Sequence, residues 1–258
     1  MAARITRLAF LLTVVLGAVC GVAVLLRLPT DIIVYSQFTD ISGTLSTDIM
    51  LTDVTRRLHL PLLASTENEQ WPVWSPDGRK LAFIRSATGG RWRVYQWVVG
   101  AAAPELLSHN YFDSDHYAVR YDILGWSEDS STLFFVQNAG GQFTYYRAGA
   151  GAVIPVSVDD PGLQTYLTSL TEQTPDTVTY DSQEGLWYLM NFAGTERILP
   201  LTQAEANNAL AWSPDQRHVA VTLIRNQQAD LYVVDAESGV VRRLTTNGGM
   251  TPAWQPGH

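Results

Sequence analysis

Of 258 residues only one is cysteine and only one is lysine, and no run of basic residues is longer than a pair. The cysteine, Cys20, lies inside a long apolar segment, which excludes a disulfide framework and a cysteine metal site, so packing alone must stabilise the fold. Positive charge is scarce as well: 17 Lys and Arg stand against 25 Asp and Glu, for a formal net charge of −8. Arg4 and Arg7 precede the first acidic residue, Asp31, and belong to a targeting segment; without them 15 basic residues face 25 acidic ones, a net of −10. A surface of that sign repels phosphate backbones and argues against nucleic-acid binding. After residue 30 no window of twelve or more residues reads as a helical period, and no Gly-x-Ser-x-Gly elbow is present to mark a serine hydrolase. What the chain does have is apolar side chains, 46% of the total, ordinary for a packed core and too many for a disordered chain.

From Leu8 to Leu26 the sequence LAFLLTVVLGAVCGVAVLL runs for 19 residues without a charge. As a helix rising about 1.5 Å per residue it spans roughly 28 Å, close to the hydrocarbon thickness of a bilayer. Arg4 and Arg7 before it favour a cytoplasmic N-terminus, with everything after residue 30 outside. The competing reading is a cleaved signal peptide, for which Ala18-Val19-Cys20 offers small residues at a cleavage site. The apolar sequence continues past Cys20, which favours an uncleaved anchor, and Gly17-Ala18-Val19 does not match a lipoprotein motif. The expected organisation is a cytoplasmic segment 1–7, a transmembrane signal anchor 8–26, a linker 27–30 and one folded domain over 31–258. This places the protein in the cell membrane as a single-pass chain with its domain on the periplasmic or extracellular side.

That domain reads as β-strands that repeat. Trp74, Trp126, Trp212 and Trp254 each end a short strand and open the same turn, as WSPDG, WSEDS, WSPDQ and WQPGH. Their spacings are 52, 86 and 42 residues, and half of 86 is 43, so one copy is hidden near Leu170. In the two clearest copies Pro76 and Pro214 preset φ at the second turn position; Asp77 and Asp215, like Asp129 in the third, suit the position that follows. Around each turn four short strands can be laid out, and units of four antiparallel strands at about 40 to 45 residues are the signature of propeller blades. Residues 31–63 supply three strands without a turn tryptophan, while TPAW (251–254) is an inner strand with no blade after it. The expected fold is all-β, a five-bladed β-propeller closed by the carboxyl-terminal strand. Its blades fall near 31–64 plus 251–254, 71–108, 123–157, 167–202 and 209–246. The four tryptophans are expected to pack between neighbouring sheets.

On the residues WSPDGRKLAFIR (74–85) and WSPDQRHVAVT…DLYVVDAESGVVRRLT (212–245), with weaker copies at 126–157 and 170–202, the chain resembles the WD40-like repeat family PD40, to which TolB-type propellers belong. The resemblance covers most of residues 31–258 and implies a propeller. It departs from the TolB pattern, which has an α/β domain ahead of six blades and no membrane segment, so a role in the Tol-Pal system does not carry over. The same repeat accompanies prolyl-oligopeptidase-type hydrolase domains, and no segment here is left to form one.

Candidate chemistry is sparse. Residues 108–122, SHNYFDSDHYAVRYD, form a long connection that gathers Tyr111, Asp113, Asp115, His116 and Tyr117, and aromatics beside charges are what binding patches use. Asp113, Asp115 and His116 are too few oxygen donors for a calcium loop. Asp159-Asp160 before Pro161-Gly162 reads as a turn, and the strands read as innermost hold no acid except Asp122. No cofactor, metal or catalytic set is expected. The leading expectation is a membrane-anchored extracytoplasmic scaffold that binds a protein or envelope component through the face carrying 108–122. The alternative is a propeller that binds, or even hydrolyses, a glycan or small molecule in its central pocket.

Overall fold

The computed structural model describes residues 31–41, 44–56, 58–87, 91–108, 119–172, 177–181, 186–190, 196–199, 206–225 and 227–256. The apolar segment 8–26 lies outside them, and among the described residues no helix is long and apolar enough to cross a membrane.

Among the described residues the fold is all-β apart from one helix. Sheet I contains β1 (Ile32–Ile41), β2 (Thr44–Asp53) and β3 (Leu58–Leu63). Sheet II contains β4 (Asn68–Trp74), β5 (Lys80–Ala87), β6 (Arg91–Val98) and β7 (Glu105–Leu106), and sheet III β8 (Val119–Trp126), β9 (Leu133–Ala139), β10 (Gln142–Gly149) and β11 (Ala152–Val156). After the helix α1 (Pro161–Glu172) come β12 (Thr177–Asp181), β13 (Leu186–Met190) and β14 (Glu196–Leu199) of sheet IV. Sheet V contains β15 (Ala206–Trp212), β16 (His218–Arg225), β17 (Gln228–Asp235) and β18 (Val241–Arg243), and the last strand is β19 (Met250–Trp254). Sheets II, III and V are four-stranded antiparallel meanders in chain order, and sheet IV has three strands. Sheet I is also four-stranded, because β19 pairs with β1 through Ile33–Trp254 and Val34–Ala253. TPAW therefore lies where its lack of a following blade placed it.

The apolar runs are continuous because most strands are covered on both faces. Leu81 and Phe83 of β5 pack with Ile32, Val34, Ile49 and Leu51 of sheet I. The alternate residues Ala82 and Ile84 pack with Tyr121, Leu133 and Phe135 of sheet III. In the same way Ile33 and Tyr35 of β1 meet Ala220, Leu231 and Val233 of sheet V. Period-two alternation thus sends one strand into two cores and orders the sheets V, I, II, III.

The helix corrects the expectation of a strand around Leu170, while the turn read at Asp159-Asp160 is present: the Asp160 amide donates to the Ser157 carbonyl at 3.0 Å, and the helix starts from that turn. Asp160 is an N-cap: its carboxylate accepts the Leu163 amide at 3.0 Å and its carbonyl the Gln164 amide at 2.8 Å, with Pro161 in the first turn. Leu163 and Tyr166 then form an i, i+3 stripe that packs on Phe134, whose ring stacks on Tyr166 at 5.3 Å. The Tyr166 hydroxyl donates to the Leu124 carbonyl. This approach requires glycine at position 125: φ is +146°, and a Cβ there would stand 2.2 Å from the Tyr166 hydroxyl. The helix covers the face of sheet III turned away from sheet II.

Candidate functional site

The repeated turns fix which end of each sheet is which. In all three clear copies the serine hydroxyl donates to the aspartate at 2.6 Å: Ser75 to Asp77, Ser127 to Asp129, Ser213 to Asp215. The same serine oxygens accept the amides of Lys80, Thr132 and His218 at 2.9 Å each. The aspartates also accept the amides of Arg79, Ser131 and Arg217. The residue after each aspartate is left-handed, Gly78 at φ 65°, Ser130 at 61° and Gln216 at 57°. The Ser127 hydroxyl and the Ser131 amide hold the Asp129 carboxyl down to about 2.

The tryptophans link the sheets. Trp126 donates its indole N–H to the carbonyl of Val73, which precedes Trp74, and Trp254 donates to Ala211, which precedes Trp212. Each indole reaches the preceding sheet at the same point of the repeat. Trp74 is the exception: its buried indole nitrogen has no partner among the described residues. The single lysine joins sheets II and III, a role its scarcity alone did not announce. Lys80 Nζ donates to the Ser130 carbonyl at 2.9 Å and lies 5.2 Å from the centre of the Trp126 ring.

At the other end of the strands lie the outer-to-inner connections, and here the sequence reading needs two amendments. Tyr111, Asp113, Asp115, His116 and Tyr117 lie outside the described residues. The inner strands also start earlier than expected: β4 begins at Asn68, so an innermost strand does carry an acid, Glu69, besides Asp122 on β8. Glu69 is fully buried between sheets I and II. Its Oε1 accepts the Ser65 hydroxyl at 2.6 Å and faces Arg85 Nε at 3.0 Å, while Oε2 has no hydrogen-bond partner. Burial lifts the Glu69 carboxyl to about 7, with the neighbouring Asp48 carboxylate adding to the rise and Ser65 and Arg85 opposing it. These bonds tie Glu69 into the seam and leave it no free face toward a substrate.

Between sheets II and III the same end of the strands is different. A β-bulge between Gln70 and Val73 puts Trp71 in the left-handed region at φ 53°, a conformation that costs a bulky residue energy and aims its side chain outward. Trp71 is 44% exposed and its ring lies 5.9 Å from that of Trp92 on β6, tilted by 44°. Trp92 packs against the core that Tyr121 shares with Leu133 and Phe135 of sheet III. Sequence reasoning passed over Trp71 as a strand residue and never singled out Trp92.

Among the described residues no group of three His, Cys, Asp or Glu stands close enough to hold a metal ion. His59 lies 3.2 Å from the Tyr35 hydroxyl, with burial pulling its pKa down, and His218 lies 3.7 Å from Asp235 in a different sheet.

No protein-family model matches the chain, and no curated protein matches it. Among solved structures, TolB from Acinetobacter baumannii is similar with a TM-score of 0.55 at 12% identity, over 88% of this chain and 67% of that one. A putative TolB from Agrobacterium tumefaciens has a TM-score of 0.31 at 16% identity, over 87% of this chain and 57% of that one. A puromycin-hydrolyzing peptidase from Mycobacterium tuberculosis has 0.37 at 13%, over 81% of this chain and 34% of that one. Only the first carries an argument, and it is one of fold. This all-β chain of four-stranded antiparallel sheets is similar to a TolB-like β-propeller.

Proposed function

We propose that the chain is a membrane-anchored, extracytoplasmic propeller that serves as a protein-interaction scaffold in the cell envelope and performs no bond chemistry of its own. Five sheets, four of them complete, and β19 paired to β1 support a five-bladed closed ring. The charge-free segment 8–26 supports the anchor, and the TolB-like fold supports the scaffold role. The observation that carries the reading is the Trp71–Trp92 pair. An indole held outward by a strained bulge, against a second indole, is the kind of aromatic anchor that protein interfaces use. It borders the gap between sheets II and III.

The test is site-specific photocrosslinking in membranes with a probe at Trp71. The expected result is one discrete adduct, lost when Trp92 is changed to Ala or when Tyr111, Asp113, His116 and Tyr117 are changed together. Absence of any adduct, or an adduct that survives both sets of changes, would exclude this face as the docking surface.

A further inference from the structure

The first three residues of β4 are polar, and each reaches toward sheet I. Asn68 Oδ1 accepts the Thr47 amide at 3.0 Å, Gln70 Nε2 donates to the Thr47 hydroxyl at 3.2 Å, and Glu69 Oε1 accepts the Ser65 hydroxyl at 2.6 Å. Ser65 belongs to the connection between β3 and β4 and is held twice more. Its amide donates to Asp48 of β2 at 3.3 Å, and its hydroxyl oxygen accepts the Glu67 amide at 3.0 Å. One serine thus stands between two buried acids, Glu69 at 0% exposure and Asp48 at 2%.

The charges gathered here are mostly of one sign. Glu67 comes from the connection, Asp48 from β2 and Arg85 from β5, while Arg93, the register partner of Arg85 on β6, stands one strand further out. The side chains described on β1 and β19 bring no charge to the seam. Arg85 Nε is 3.0 Å from Glu69 Oε1 and 3.5 Å from Glu67 Oε2, yet its N–H makes a hydrogen bond to neither. Glu69 Oε2 is buried with no hydrogen-bond partner among the described residues. A buried carboxyl oxygen without a donor, beside other carboxylates, is tolerable when neutral and costly when charged. The rise of the Glu69 carboxyl to about 7, caused first by burial, agrees with that geometry.

We propose that the connection between β3 and β4 is a proton-operated latch: while Glu69 is neutral, Ser65 stays docked and the start of β4 holds Trp71 outward, and loss of the proton opens the connection and releases that pose. Residues 64, 65 and 67 are half-buried and residue 66 is exposed, so water reaches Glu69 by displacing this connection alone. Trp71 follows two residues later, in the bulge and at φ 53°. A strained conformation of this kind persists only while its surroundings fix it, and the bonds of Asn68, Glu69 and Gln70 are what fix the start of the strand. The latch goes beyond the scaffold reading and does not depend on it.

The test is amide hydrogen exchange of the full chain in detergent at pH 6 and pH 8, corrected for the intrinsic pH dependence of exchange. With the carboxyl at about 7 when docked and at its ordinary 4.5 when released, the docked state loses ground as pH rises, and its opening constant grows about tenfold between the two pH values. Protection of the amides of residues 64–70 is expected to fall by that factor, while the Lys80 and His218 amides, bonded to Ser75 and Ser213, keep theirs. In Glu69→Gln the fall should vanish, and the indole N–H resonance of Trp71 should titrate over the same range in the wild type only. Equal protection at both pH values, a fall that survives in E69Q, or a Trp71 resonance that stays still while the connection opens would overturn the latch. Should E69Q fail to fold, the wild-type amides still decide it: parallel loss at Lys80 and His218 would mark global unfolding and overturn it. A Trp71 crosslink that forms equally at pH 6 and pH 8 leaves the docking surface standing and removes the latch, whereas pH-dependent exchange without any crosslink supports the latch and removes the surface.

Discussion

Trp74 and Trp254 occupy equivalent positions and are buried alike, yet they differ at one atom: Trp254 gives its N–H to Ala211, and Trp74 gives its N–H to none of the described residues. Replacing either by phenylalanine removes similar apolar bulk, but in Trp254→Phe the Ala211 carbonyl loses its donor, while in Trp74→Phe a buried unpaired N–H disappears. Trp254→Phe is therefore expected to cost about 1–2 kcal/mol more than Trp74→Phe in urea unfolding. Equal losses would show that the indole bond contributes nothing beyond packing. At this scale the sequence was most legible where the chemistry is local. Ser, Pro and Asp announce a turn through bonds to their own neighbours, and those bonds form at all three sites. Lys80 could not be read, because its acceptor and its aromatic partner belong to another sheet.

Elements were legible where their burial is periodic and misread where it is not. Asn68-Glu69-Gln70 is polar and reads as loop, but it extends β4, since Ser65, Arg85 and Asn68's own contact to the Thr47 amide satisfy it inside a seam. Helix α1 was missed because Asp-Pro-Gly fits a turn as well as a helix start, and because its stripe is only a few residues long. The seam between sheets I and II makes a pH prediction. Glu69 holds its proton more tightly when folded, at about 7, than its ordinary value of 4.5. Its contribution is thus complete below about 4.5 and is lost as pH rises through about 7, a difference on the order of 3 kcal/mol. Arg85 does not reverse this, as it lies between Phe83 and Tyr95 and shares its charge with Glu67. Glu69→Gln should remove that fall in stability between about pH 5 and 8, measured by denaturant unfolding at each pH. An unchanged slope would place the proton elsewhere.

For the whole molecule the informative feature is the pairing of β19 with β1, visible in advance as one end lacking what the other had spare. It is reinforced by the Ser36 and Thr251 hydroxyls at 2.8 Å and by Trp254 in the core shared with sheet V. Removing residues 250–258 should expose the β1 edge and open that core, so the shortened chain is expected to lose its cooperative thermal transition and to self-associate on size exclusion. A monomer with the full-length melting temperature would deny β19 this role. The face that carries the proposed function was only half legible: composition pointed to the 108–122 connection, while the bulge at Trp71 and its contact with Trp92 depend on pairing register, which a single sequence does not print.

The same pairing governs how the protein is born. Ser36 waits for a partner made 215 positions later, so ribosomal synthesis delivers sheets II, III and V ready to fold while sheet I stays incomplete. Contacts this distant slow folding, and until β19 is made the nascent chain carries an unpaired strand edge and an open hydrophobic wall. Sheet I therefore closes only after sheets II to V have been made, and whatever holds the chain meanwhile must shield that first sheet above all others.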